Sequence, residues 1–221
     1  MEGVGVTFGQ ERHRPLGVAV AGVGGEGPGL AEQQHAAHAG AVVERHQLGP
    51  AGGYASAPAN NAPADHPALV EAYRLAGRYG APVNVHQEWF FADELERAVR
   101  AAPDTTFVWA HAGHGPPAIA RGMLERNPNL LADLSARTPW LGPGTVLLRP
   151  NGLLDGEWSA LLHDFPDRFL VGLDLFAPAH YRSAYVNQTA GYYRALLGQL
   201  DPAVADQVGY ANALRIAPLA G

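Results

Sequence analysis

The chain has 221 residues, with 15 basic against 21 acidic side chains, a formal net charge of -6 and no cysteine. That length holds one substantial domain or two small ones, and an acidic chain without a basic run excludes nucleic acid as the main partner. Lack of cysteine rules out disulfides and thiolate metal sites, so any metal would rest on carboxylates and the ten histidines.

No stretch reaches the roughly 18 apolar residues of a membrane span. The early run "RHRPLGVAVAGVGG" is too short and Gly-broken for a secretion signal. The expected setting is cytoplasmic, with a small-molecule substrate and no membrane partner. Every basic residue is Arg, and Ala, Gly and Pro abound, which points to a GC-rich gene in which wrong reading frames stay open.

Residues 1–62 are rich in Gly, Ala and His, have little periodicity, and run into the linker-like "GPAGGYASAPANNAPA". Inside this leader, Gly22, Gly24 and Gly27 stand in G-x-G-x-x-G spacing after an apolar run, with Glu44 further on. That is the outline of a dinucleotide-binding βαβ unit through residues 16–44, although sixty residues cannot supply the rest of such a fold.

From Asp65 the texture changes. "DHPALVEAYRLAGRYGAP" predicts a helix with Asp65 as N-cap, Leu69, Ala72, Tyr73 and Ala76 on one face, and a stop at Gly80 before Pro82. Strands are then predicted at 82–89, 105–111, 129–136 and 167–176. Helices are predicted at 92–103, 116–128 and 157–165, and over much of 180–216. Such alternation implies parallel βαβ units.

The four predicted strands end on His86, His111, Ser135 and Asp174. Alternation places His86 with Asn84, His111 with Trp109 and Phe107, and Asp174 with Gly172 and Leu170. The opposite face would carry Val83, Val85, Val108, Ala110, Val171 and Leu173 against helices. Polar groups at the carboxyl ends of parallel strands converge where α/β active sites lie, and His, His and Asp suit a divalent metal such as zinc. Four further residues are candidate pocket lining: His114, Glu88, His180, and Arg137 as a partner for a substrate carboxylate. His66 and His163 are read as structural, and Trp89, Trp109 and Trp140 as packing.

The segments "PVNVHQE", "FVWAHAG", "NLLADLSA", "RFLVGLDL" and "YANALRI", in this order, resemble the amidohydrolase superfamily, most closely its amidohydrolase-related, metal-dependent hydrolase branch, over about residues 63–221. The resemblance implies a TIM-barrel (β/α)8 fold with a mono- or binuclear metal site. It also implies hydrolysis of C–N or C–O bonds of a small organic substrate by metal-activated water, or decarboxylation in some branches. The four strands would be barrel strands five to eight. His86 would be a metal ligand. His111 would bind a second metal or contact the water or substrate, and Asp174 would touch the metal and take the water's proton.

The family's first strand carries a His-x-His pair, and this sequence has none; His35-x-x-His38 does not match it. The expectation is therefore the C-terminal half of a barrel (63–221) behind an unrelated, poorly packed leader (1–62), as a wrong start in GC-rich DNA would produce. A catalytically impaired fragment with an incomplete, weakly loaded metal site is the alternative to an active hydrolase. The exposed edge of a half barrel also invites homodimers or aggregation.

Overall fold

The computed structural model describes residues 63–140, 146–175 and 178–217, together with the backbone of two strands at 19–20 and 41–45. Six strands lie side by side in chain order: β1 (Ala19–Val20), β2 (Ala41–Arg45), β3 (Val83–Gln87), β4 (Phe107–Trp109), β5 (Leu130–Asp133) and β6 (Phe169–Leu170). β2 to β6 are mutually parallel. Helices α1 (Pro67–Arg78), α2 (Ala92–Ala101), α3 (Pro117–Arg126) and α4 (Gly156–Asp164) connect β2 through β6. After β6 come α5 (Ser183–Leu197), α6 (Pro202–Asp206), a π-helical run Gln207–Ala211 and α7 (Asn212–Ile216). A strand order that never reverses is the winding of a TIM-type barrel; an open doubly wound sheet switches direction. The four predicted strands are β3 to β6. Among the described residues no helix is long and apolar enough to cross a membrane.

The dinucleotide reading needs a parallel pair. β1 and β2, which carry its two strand segments, instead pair antiparallel, and a βαβ unit cannot be built that way. Gly22, Gly24, Gly27, His35 and His38 lie outside the described residues, as does the packing of the leader. β2 itself runs parallel to β3 over five residue pairs, Ala41 with Val83 to Arg45 with Gln87.

Local chemistry sets the element ends. The cap of α1 is His66, whose Nδ1 accepts from the Ala68 amide at 3.2 Å. Asp65, the expected cap, pairs with Arg97 of α2 at 2.6 Å instead. Gly80, at φ +64°, turns the chain out of α1 at little cost. At α4, Asp155 caps by accepting from the Glu157 and Trp158 amides.

One sheet face is dry. Val83, Val85, Phe107, Trp109, Leu130, Ala132 and Phe169 pack with Tyr73, Leu95, Val99, Met123 and Leu161 of the helices. On the other face, among the described residues, Val108, Leu131 and Leu170 cluster, with Ile216 against them. This reverses the expected phase of β4: Phe107 and Trp109 face the helices, in register with Val83 and Val85, and Val108 faces away. The parity count failed because β4 ends at Trp109 and the chain then turns left-handed, with His111 at φ +58° and Ala112 at φ +45°. Alternation cannot be carried across such a break. β6 is also shorter than expected, and beyond it the Val171 amide bonds to the carbonyl of Val208 in the π-helical run at 3.1 Å.

Candidate metal and catalytic site

The site forms around the segment following β4. Ala110–His114 makes a tight turn in which His111, Ala112, Gly113 and His114 all have positive φ. Three of these are not glycine, and each left-handed residue of that kind costs on the order of 1–3 kcal/mol unless its surroundings hold it. Gly113 is required at its place: at φ +62°, a Cβ there would lie 2.1 Å from Cζ2 of Trp109. Trp109 is itself anchored, its indole N–H donating to the Gln87 carbonyl at 2.6 Å.

The turn delivers two imidazoles beside the one on β3. The rings of His86 and His111 stand 4.6 Å apart edge to face, and His111 stacks on His114 at 4.6 Å. Glu88 reaches into this group from the chain just beyond β3. Its Oε1 lies 3.1 Å from His114 Nδ1 and 3.6 Å from His86 Nε2. His86, Glu88 and His114 offer three ligand atoms all within 4.8 Å of one another. Burial pushes the Glu88 carboxyl up, but hydrogen bonds and charge from the two imidazoles outweigh it and hold the group at about 2. Glu88 is therefore a carboxylate throughout the neutral range.

His111 is 5 % exposed. Burial holds its pKa below the usual imidazole value, against the opposing charges of Asp133 and Asp174, so it enters the site neutral. Asp174, in the loop beyond β6 at φ +51°, is one of the charges that oppose the effect of burial on His111. His86, His111, His114 and Glu88 are thus brought together.

Arg137, expected as a partner for a substrate carboxylate, is engaged by backbone carbonyls and an indole ring. Its Nε donates to the His111 carbonyl at 2.7 Å and its Nη2 to the Gly115 carbonyl at 2.5 Å, and its guanidinium covers the Trp158 ring at 4.4 Å. Only 1 % of it is exposed, and burial pushes its pKa down to about 10. It lines a cavity of about 340 Å³ with Gly115, Leu147 and Trp158, whose walls include none of the three imidazoles. The ring of His180 stacks on Tyr185 of α5 at 4.5 Å.

Asp133 was not among the sequence candidates. It sits at the end of β5, 8 % exposed, and its Oδ1 accepts from the His111 and Ser135 amides at 3.1 and 2.8 Å and from the Ser135 hydroxyl. The available signal was its place on the site face, two residues before the Ser135 strand end.

A sequence model of the family described as amidohydrolase matches residues 5–219, a span that includes β2 and most of the leader. No curated protein matches the chain. Among solved structures, an uncharacterised TIM-barrel protein from Bordetella bronchiseptica aligns with TM-score 0.55 at 18% identity, over 72% of this chain and 53% of its own. A dihydroorotase from Campylobacter jejuni aligns with TM-score 0.55 at 16% identity, over 81% and 58%. An amidohydrolase from Burkholderia multivorans with bound HEPES aligns with TM-score 0.50 at 15% identity, over 71% and 59%. This chain thus spans between half and three fifths of the structures it resembles, and at these identities the likeness is one of fold. With a family match across nearly its whole length and a TIM-type winding that gathers His86, His111 and His114 at the carboxyl ends of β3 and β4, the chain belongs to the amidohydrolase family.

Proposed function

We propose that the chain hydrolyses a C–N or C–O bond of a small organic substrate with the help of a divalent cation, zinc foremost, held by His86, Glu88 and His114. The observation that carries this reading is the position of Glu88 Oε1 between the two imidazole nitrogens, at 3.1 and 3.6 Å. Two ligand atoms bound tetrahedrally to zinc at about 2.0–2.1 Å stand roughly 3.3 Å apart, so the three donors suit such an ion without large movement. Two histidines and one carboxylate with a fourth position open is also a ligand set of hydrolytic zinc sites. An ion so held lowers the pKa of a water towards about 7 and polarises a carbonyl. His111, neutral and stacked on His114, orients the attacking water, and Asp174 accepts its proton.

This ligand set shares His86 with the expectation and frees His111 and Asp174 for chemistry. It also weakens the case for an impaired fragment. That case rested on the lack of a His-x-His pair, and Glu88 with His114 offers the missing number of donors from within the described residues.

The test is to load the purified chain with Zn²⁺, count bound ions, and assay a panel of esters, lactones and amides. The expected result is one ion per chain. Glu88→Gln should weaken binding by at least about 10-fold, the loss seen even for outer partners of metal ligands. Asp174→Asn should keep the ion and lose about 10²–10⁴-fold in turnover. Hydrolysis undiminished by a chelator would sink the reading.

A further inference from the structure

The segment Asp133–Arg137, reading D-L-S-A-R, closes on one residue, His111, from three sides. The His111 amide donates to Asp133 Oδ1 at 3.1 Å, and its carbonyl accepts from Arg137 Nε at 2.7 Å. Its Nδ1 lies 3.0 Å from the Ser135 carbonyl and 2.8 Å from the Ser135 hydroxyl. All four residues are buried, with Arg137 and Asp133 at 1 % and 8 % exposed. Backbone and ring of a left-handed residue are thereby gripped together, which is how a conformation of this cost is kept.

The donor and acceptor inventory decides which nitrogen carries the proton. A backbone carbonyl only accepts, so the contact with the Ser135 carbonyl requires His111 Nδ1 to donate. The Ser135 hydroxyl faces Asp133 Oδ1 on its other side, and a carboxylate also only accepts. The hydroxyl proton therefore goes to Asp133, and the hydroxyl oxygen is left to accept from His111 Nδ1. Both partners demand the same proton position. Nε2, on the far side of the ring from Ser135, keeps its lone pair.

We infer that Asp133, through Ser135, is a positioning residue that holds His111 as its Nδ1–H tautomer, with Arg137 fixing the backbone beneath it, so that His111 meets the reacting groups as an acceptor at Nε2 and not as a hydrogen-bond donor. This rests on the imidazole cluster being the reactive centre, and it assigns His111 its direction there. A neutral Nε2 acceptor can take or orient a proton of an attacking water; it cannot donate to a carbonyl oxygen of the substrate. Asp133 acts through Ser135 and is not itself a catalytic residue.

The experiment is long-range ¹H–¹⁵N NMR of the histidine side chains in the full chain, with no metal or substrate added. His163 is the internal control, because its Nδ1 lies 2.7 Å from the Ser159 carbonyl in α4, remote in sequence from the grip. Wild type should show His111 wholly as Nδ1–H. Asp133→Ala removes one of the two demands on Nδ1, leaving the Ser135 carbonyl at 3.0 Å to compete with a hydroxyl now free to donate, so the Nε2–H form should appear in at least about a tenth of molecules while the His163 signals stay put. Asp133→Asn, which keeps an acceptor oxygen at Oδ1, should restore the wild-type pattern. If Asp133→Ala loses the His163 signals as well, it has unfolded, and the wild-type tautomer together with Asp133→Asn still decides. An Nε2–H tautomer in the wild type overturns the inference, as does an unchanged tautomer in a folded Asp133→Ala. Because no turnover is measured, either outcome is separate from failure of the hydrolase reading, which depends on loaded enzyme and substrate.

Discussion

The two faces of this sheet are built from the same strands by different physics. On the helix side, Val83, Val85, Phe107, Trp109 and Phe169 are fully buried among helix side chains, and stability comes from apolar area removed from water. On the site side, three apolar residues cluster, and beyond them His86, His111, Asp133 and Ser135 are held by directed hydrogen bonds and charge. A face held by packing tolerates many sequences of the right volume. A face held by donors and acceptors must satisfy each of them. Substitutions on the first should therefore act mainly on stability, and substitutions on the second mainly on chemistry.

The largest effect should come from the helix face. Trp109→Ala removes a fully buried indole and is expected to cost about 3–5 kcal/mol in a urea titration. It should also loosen the site, because Gly113 and its turn rest on that ring. A loss below about 1 kcal/mol would mean that the phase of β4 described here is wrong. Gly113→Ala, at the junction of the two faces, meets both the Trp109 ring and a left-handed backbone, and overpacking of this kind costs about 1–3 kcal/mol. Full stability in this variant would show that the turn adopts another backbone.

The smallest effect is a pH dependence that only the site face should show. A buried neutral imidazole has a depressed folded pKa, so below about 6.5 the unfolded chain takes up a proton that folded His111 refuses. Stability should therefore fall as pH drops through and below 6.5, and His111→Asn should remove this component. Glu88 has the opposite timing. Its contribution is complete above about 4.5 and is lost only as pH falls towards about 2. Melting curves of both proteins between pH 8 and about pH 2 check the pair of statements, and an identical slope between about pH 7 and 5 in His111→Asn would refute the first.

The candidate site was only partly readable beforehand. His86 and His111 stood out as imidazoles ending apolar runs, and their rings do meet at 4.6 Å. Glu88 and His114 were noticed only as lining, because nothing in the spacing of "HQE" and "HAGH" says that a left-handed turn folds one back onto the other. Arg137 looked available to a substrate because an Arg in a loop usually is; its burial under the His111 and Gly115 carbonyls depends on partners 26 and 22 residues away. Asp133 was passed over because a carboxylate inside an apolar strand declares no partner.

What the sequence determined by itself is what short-range periodicity encodes: strands alternating with helices, the elements from residue 65 onward within a few residues of their ends except for the far end of β6, and the family resemblance carried at the strand ends. Apolar residues repeating every two or every three to four positions need no knowledge of the rest of the chain. Tertiary structure alone decided the phase of β4, the antiparallel pairing of β1 that removes the dinucleotide reading, and the grip on His111. Each of these depends on a backbone break or on a donor meeting an acceptor far away in the chain, and neither leaves a period in the sequence.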